Sequence, residues 1–228
     1  MIEIPKISVE IGVDDVLRGQ GADPAVIRQR SPHLVKVAEN ALDRSKALLD
    51  FKFIHQHLKI LAVRHNKIML ENNLVIDNPM LIDHLKSAEW LSAILCTVGP
   101  GIEKAAIEAM EAKMVLGLAI DGVGSAGVEG YANALCANVE SQAKEQGLKT
   151  TIPLSPGMVG WPVEEGQPFI FKLLKGDDIG VELTESILMR PRKSLSMILG
   201  IGSNISLNGS VCDFCAMKEN CRYKDHYE

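Results

Sequence analysis

Ser155-Pro-Gly-Met-Val-Gly-Trp-Pro-Val-Glu-Glu165, then Phe169-Ile-Phe-Lys-Leu-Leu174, then Gly180-Val-Glu-Leu-Thr-Glu-Ser-Ile-Leu-Met-Arg-Pro-Arg-Lys-Ser-Leu-Ser196: the reading of this stretch decides the fold. Pro156 and Pro162 set their own φ, while Gly157 and Gly160 open the left-handed region and let a ligand approach bare backbone. The spelling predicts a rigid loop, a short helix and a strand. In that strand Val181, Leu183, Ile187 and Met189 alternate, which puts Glu185 on the apolar face, with a buried partner or at a bulge. The run from Ser194 to Gly202 is strongly apolar and reads as a strand inside the sheet.

The loop, the Leu-Thr-Glu-Ser strand and the Pro-x-x-Ser-x-Ser run together resemble the activation domain of cobalamin-dependent methionine synthase. Leu95-Cys-Thr-Val-Gly-Pro-Gly-Ile-Glu103 and Asp121-Gly-Val-Gly-Ser-Ala-Gly-Val-Glu-Gly-Tyr-Ala132 extend the likeness to free-standing relatives, over roughly residues 1 to 202. The resemblance implies an α+β fold, a mostly antiparallel twisted sheet flanked by helices, over residues 1–205. It also implies that Ser155, Pro156, Gly157, Met158, Gly160 and Trp161 hold S-adenosylmethionine, with Glu185 nearby. Glu129 matches a glutamate that meets the ligand's amino-acid end, where a carboxylate suits an ammonium group. Two positions depart from the pattern. Pro153 stands where the family commonly has arginine, and Met158 where it has tyrosine. Trp161 would then restore an aromatic wall, and Arg190 or Arg192 the missing cation.

The implied chemistry is methyl transfer from a sulfonium to cob(I)alamin carried by a partner, a corrinoid-binding protein or methyltransferase subunit, with an electron donor as a further partner. Such a transfer needs placement more than acid or base. That agrees with a chain offering no nucleophile with its base and no carboxylate pair. It leans the reading toward a methyltransferase component. The chain has neither a cobalamin-binding Asp-x-His-x-x-Gly segment nor a homocysteine-binding zinc barrel, so those sites belong to partners.

Composition narrows the classes. Twenty-four basic against 29 acidic residues give a net charge of -5 with no basic block, which argues against nucleic acid. No apolar run reaches the roughly 18 residues of a membrane span, and no signal-peptide layout opens the chain, so a cytoplasmic protein is expected. Apolar residues make up 46%, enough for a real core.

Met1 to Ile11 alternates with the period of a strand, which could pair within the sheet or with a second copy. Helices are expected over Val13–Arg18 and from Ser31-Pro32, followed by short strands from Leu58 to Ile76 with turns at His65-Asn66 and Asn72-Asn73. A short helix over Pro79–Lys86 and a strand ending at Gly99-Pro100-Gly101 come next, then helices over about 102–116 and 121–146. Gly122-x-Gly124-x-x-Gly127 matches a dinucleotide fingerprint, but no strand precedes it and its acidic candidates, Glu140 and Glu145, sit in the same helix. Small residues for close helix packing are the simpler reading. His55, His57 and His65 lack an acidic co-ligand at metal spacing and read as exposed strand or turn residues.

The tail, 206–228, spells C-x2-C-x5-C through Cys212, Cys215 and Cys221. Three thiolates so close suit one metal. Zinc would take His226 as fourth ligand; an iron-sulfur cluster, preferred because reactivating cobalamin needs a low-potential electron, would take Cys96, Cys136 or an outside ligand. Set against the methyl-donor reading is a second one, a docking or electron-transfer module for a corrinoid protein with a decayed S-adenosylmethionine site.

Overall fold

The structure, a computed structural model, describes residues 2–206 and 210–214, with the backbone alone at Val211 and Cys212. Helices α1 (Val13–Gly19), α2 (Pro24–Arg30) and α3 (Pro32–Ser45) lead into the hairpin β1 (Lys52–Arg64) and β2 (Lys67–Leu70), with β3 (Val75–Ile76) beside it. Then follow α4 (Pro79–Leu85), β4 (Trp90–Thr97), α5 (Gly101–Ala112), α6 (Met114–Glu145), β5 (Lys149–Thr150) and α7 (Val163–Leu173). The small hairpin β6 (Glu182–Leu183) and β7 (Met189–Arg190) precedes β8 (Ser194–Gly202). α2 was not foreseen, although its signal is plain. Asp23 accepts from Ala25 N–H at 2.8 Å and Pro24 occupies the first turn.

Six strands form one sheet in the order β3-β2-β1-β4-β8-β5, every pair antiparallel, which is the α+β architecture expected. The β1–β2 turn sits at His65-Asn66, both at positive φ (52° and 56°), as a two-residue hairpin loop requires. Side chains of β4 and β8 alternate between two cores. Ile94, Cys96, Met197, Leu199 and Ile201 face a helical layer of α1, α3, α5 and α6. Leu91, Ala93, Leu95 and Ile198 face the other way, toward α4, α7 and the 155–161 loop.

The N-terminal strand does not form. Residues 2–11 instead run extended along α6, where the Gln142 side-chain amide donates to Glu3 O at 2.8 Å and its oxygen accepts from Glu3 N–H at 3.2 Å. An alternating pattern requires one apolar surface, and a helix groove serves as well as a strand edge. The groove exists because α6 is lined with small residues. A Cβ on Gly130 would stand 2.9 Å from Val9, and one on Gly122 2.8 Å from the Val16 carbonyl of α1. The glycine fingerprint is therefore a packing device inside one continuous helix, which begins at Met114 rather than near Asp121.

The predicted strand through Glu185 is also corrected. Residues 182–190 fold back as the β6–β7 hairpin, Thr184 Oγ1 accepts from Leu188 N–H at 3.1 Å, and Ile187 takes φ 62°. Glu185 lies exposed in the turn, with neither a buried partner nor a bulge. The alternation was that of two short arms, each read as half of one strand. β8, as expected, is internal, between β4 and β5.

Candidate functional site

The 155–161 segment is a turn closed on itself. Gly157 N–H donates to Trp161 O at 2.8 Å, Trp161 N–H to Met158 O at 2.9 Å, and Ser155 N–H points to Met158 Sδ at 3.1 Å. Gly157 and Gly160 hold φ of 100° and 88°, which side-chain-bearing residues rarely adopt. Met158 (8% exposed) and Trp161 (2%) are sunk into the core beside Leu81 and Ile170, so both anchor the turn. The expected ligand-facing roles of Met158 and Trp161 are reduced accordingly. Outward the turn offers Gly157, Gly160 and Val159, which is 58% exposed. Gly166 of α7 passes so close beneath that a Cβ there would lie 2.6 Å from Pro156.

Asn78 ties the turn to α4. Its Oδ1 caps the helix by accepting from Leu81 N–H at 3.1 Å, while its Nδ2 donates to Gly160 O at 2.9 Å. The Asn-Pro start of an apolar helix was the available signal for the cap. Its second bond depends on the tertiary fold.

Between β3, α4, the turn and α7 opens a cleft of about 610 Å³. Asp77, Glu164, Glu165 and Lys172 stand around it, with Phe169 as aromatic surface and the buried Trp161 beneath. Sequence reasoning missed the cleft, though 164, 165, 168, 169 and 172 are helical neighbours on one face of α7.

Glu129 lies elsewhere. It projects from α6, in the helical layer on the far side of the sheet, into a cleft of about 300 Å³ shared with Val9, Ile11, Asp15, Arg18 and Asn133. Burial first, and then the charge of Asp15, raise its carboxyl above its ordinary value. Arg18 is engaged by Asp15 at 2.9 Å. Glu129 and the turn thus line separate clefts. Glu185 occupies a third place, the tip of the β6–β7 hairpin. Arg190 and Arg192 border a further cleft of about 580 Å³ between that hairpin and the start of α5, away from the turn.

Lys193, to which the sequence drew no attention, is well bonded. Its Nζ donates to Asp121 at 2.9 Å and to Ser125 at 2.8 Å, and its backbone N–H to Glu103 at 2.9 Å. This network pins the start of β8 to α5 and α6.

Cys215 and Cys221 lie outside the described residues, and Cys212 is described in its backbone only. Phe214 connects the tail to the turn. Its carbonyl accepts from Val159 N–H at 3.0 Å, and its ring meets His84 edge-on at 4.6 Å. Cys96 and Cys136 are buried in the helical layer, across the sheet from Phe214, and burial pushes both thiols up to about 12. Among the described residues no group of three or more His, Cys, Asp or Glu is gathered for a metal. His55 and His57 are half-buried rather than exposed: His55 Nε2 bonds Ser92 Oγ at 2.7 Å, and His57 stacks on Trp90 at 4.9 Å. Burial, then the charge of His57, lower the His55 pKa to about 4.

No protein-family profile matches the chain, and no curated protein does. Among solved structures, the crystal structure of the MetH reactivation domain bound to AdoHcy superposes with a TM-score of 0.62 at 18% identity, covering 90% of this chain and 78% of that one. The chain shares that domain's fold.

Proposed function

We propose that this chain is a free-standing, activation-domain-like component of a cobalamin-dependent methyl-transfer system, binding S-adenosylmethionine and supporting the reductive methylation of a corrinoid held by a partner. The observation that carries the reading is the fold, matched over 90% of the chain to a domain solved with AdoHcy. The self-bonded Ser155–Trp161 turn agrees with it, presenting backbone in one fixed arrangement. In the reaction the S–CH₃ bond breaks, a Co–C bond forms on cob(I)alamin, and the neutral thioether leaves. The chain's contribution is to place the donor.

The partner is a corrinoid-binding protein or methyltransferase subunit, and the setting is the cytoplasm. No helix among the described residues is long and apolar enough to cross a membrane. We further assign Cys212, Cys215 and Cys221 to an iron-sulfur cluster, with zinc as the other candidate.

The test is calorimetric titration of anaerobically purified, full-length protein with S-adenosylmethionine, alongside metal analysis. Saturable binding with stoichiometric iron is expected. Zinc without iron would overturn the cluster assignment. One observation favours the second reading, a docking or electron-transfer module. The residues that the resemblance gathers around the ligand, Glu129 and the turn, line separate clefts here. Absence of S-adenosylmethionine binding, with or without a corrinoid partner, would overturn the methyl-donor reading and leave the docking or electron-transfer module as the one to test.

A further inference from the structure

We propose that the cleft between α4, the turn and α7 is the methyl-donor pocket, and that Asp77, Glu164 and Glu165 select the sulfonium cation over its neutral thioether product. This rests on the function proposed above and assigns the site within it.

At about 610 Å³ the cleft is in the range of small-molecule sites, twice the space around Glu129. Its floor is rigid, since Trp161 is fixed in the core and Asn78 staples the turn to α4. Phe169, partly exposed on α7, offers the apolar face for a purine. The rim carries three carboxylates and one ammonium, leaving it two charges negative. Among the described residues Asp77, Glu164 and Lys172 lie in no ion pair, and the bond of Glu165 to Asn78 is long, at 3.4 Å.

That pattern complements the donor. S-adenosylmethionine carries a sulfonium, an ammonium and a carboxylate. Carboxylates answer the two cations and Lys172 the anion. Once the methyl group has left, the sulfur is neutral and one attraction disappears, which favours product release. One unit charge at contact distance near a protein surface is worth at least a factor of about five in affinity. Helix-dipole stabilisation accounts for Glu164 and Glu165 in the first turn of α7 and predicts an effect on stability alone. It accounts equally for Lys172 in the last turn of that helix, and leaves Asp77, which precedes the Asn78 cap, outside it.

The experiment is titration of the full-length protein with S-adenosylmethionine and, separately, with S-adenosylhomocysteine, at low and high salt. It compares wild type with the double variant E164Q/E165Q, with D77N, with F169A and with E129Q, each checked by thermal melting. Wild type is expected to prefer the sulfonium by about fivefold or more, less so in high salt. In E164Q/E165Q and D77N the preference should fall toward unity while the fold is retained, the melt of E164Q/E165Q lowered only by the loss of its two first-turn charges, and F169A should weaken both ligands alike. Preference retained in E164Q/E165Q and D77N, or binding lost in E129Q but intact in the cleft variants, overturns the assignment and leaves the function standing. If wild type binds neither ligand, the function itself fails.

Discussion

The two faces of the sheet solve different problems with the same strands. On the helical face, α6 lies along β4 and β8, its small residues admit α1 and the N-terminal segment to near contact, and ionisable groups are held uncharged. Cys96 and Cys136 are pushed up to about 12 and His55 down to about 4. On the other face the cover is two short helices and a turn, and the gap between them holds charges in no ion pair among the described residues. The face closed by close backbone packing keeps the smaller cleft, about 300 Å³ beside Glu129. One closed by separate short pieces leaves clefts at their joints.

The sharpest way to break this comparison is to damage each face in turn. Trp161→Ala should cost about 3–5 kcal/mol, because it empties the core under the turn, and the turn should lose its geometry with it. Gly122→Val, which drives a Cβ to within 2.6 Å of Gln20 and 2.8 Å of the Val16 carbonyl, should cost about 3 kcal/mol and leave the turn in place. Denaturant unfolding gives the energies, and Trp161 fluorescence in the second variant, read with Trp90→Phe in place, reports the turn. Equal disruption of the turn by both would mean that the two layers are not independent.

Next in size is a pH effect. His55 has a folded pKa of about 4 against an ordinary 6.5, so the unfolded chain takes up its proton first. Its contribution is complete above the unfolded value and is lost as pH falls from there toward 4. Discounted for partial exposure, it is worth about 2 kcal/mol. The stability difference between pH 7 and about pH 4.5 should shrink by that amount in His55→Gln. An unaltered profile would show that the histidine titrates freely. Smallest is Asn78→Ala, expected to cost about 1 kcal/mol for the α4 cap. Amide exchange at the 155–161 turn should rise by more than at α4, since the bond to Gly160 goes too. Exchange confined to α4 would reduce Asn78 to a cap.

Much of the fold was readable from spacing. The positive-φ pair His65-Asn66 between apolar arms specified a hairpin, Asn78-Pro79 began a helix, and Ser194–Gly202 spelled an internal strand. The failures share one cause. Period-two alternation reports that one side of a segment is buried, without saying against what or over how many elements. It therefore described residues 2–11 as a strand when their partner was a helix, and 181–189 as one strand when the chain reversed at Glu185 and Ser186.

The candidate site was less legible, for a reason of geometry. The Pro-Gly spelling at 156–160 determined by itself that a rigid turn would form, because φ restrictions are local. Which way Met158 and Trp161 would point, and that Glu129 would lie across the sheet from them, followed only when alternate residues of β4 and β8 were assigned to opposite cores. Clefts belong to the spaces between elements. Asp77, Glu164, Phe169 and Lys172 come from two segments more than eighty residues apart, and only their packing around Trp161 made them neighbours.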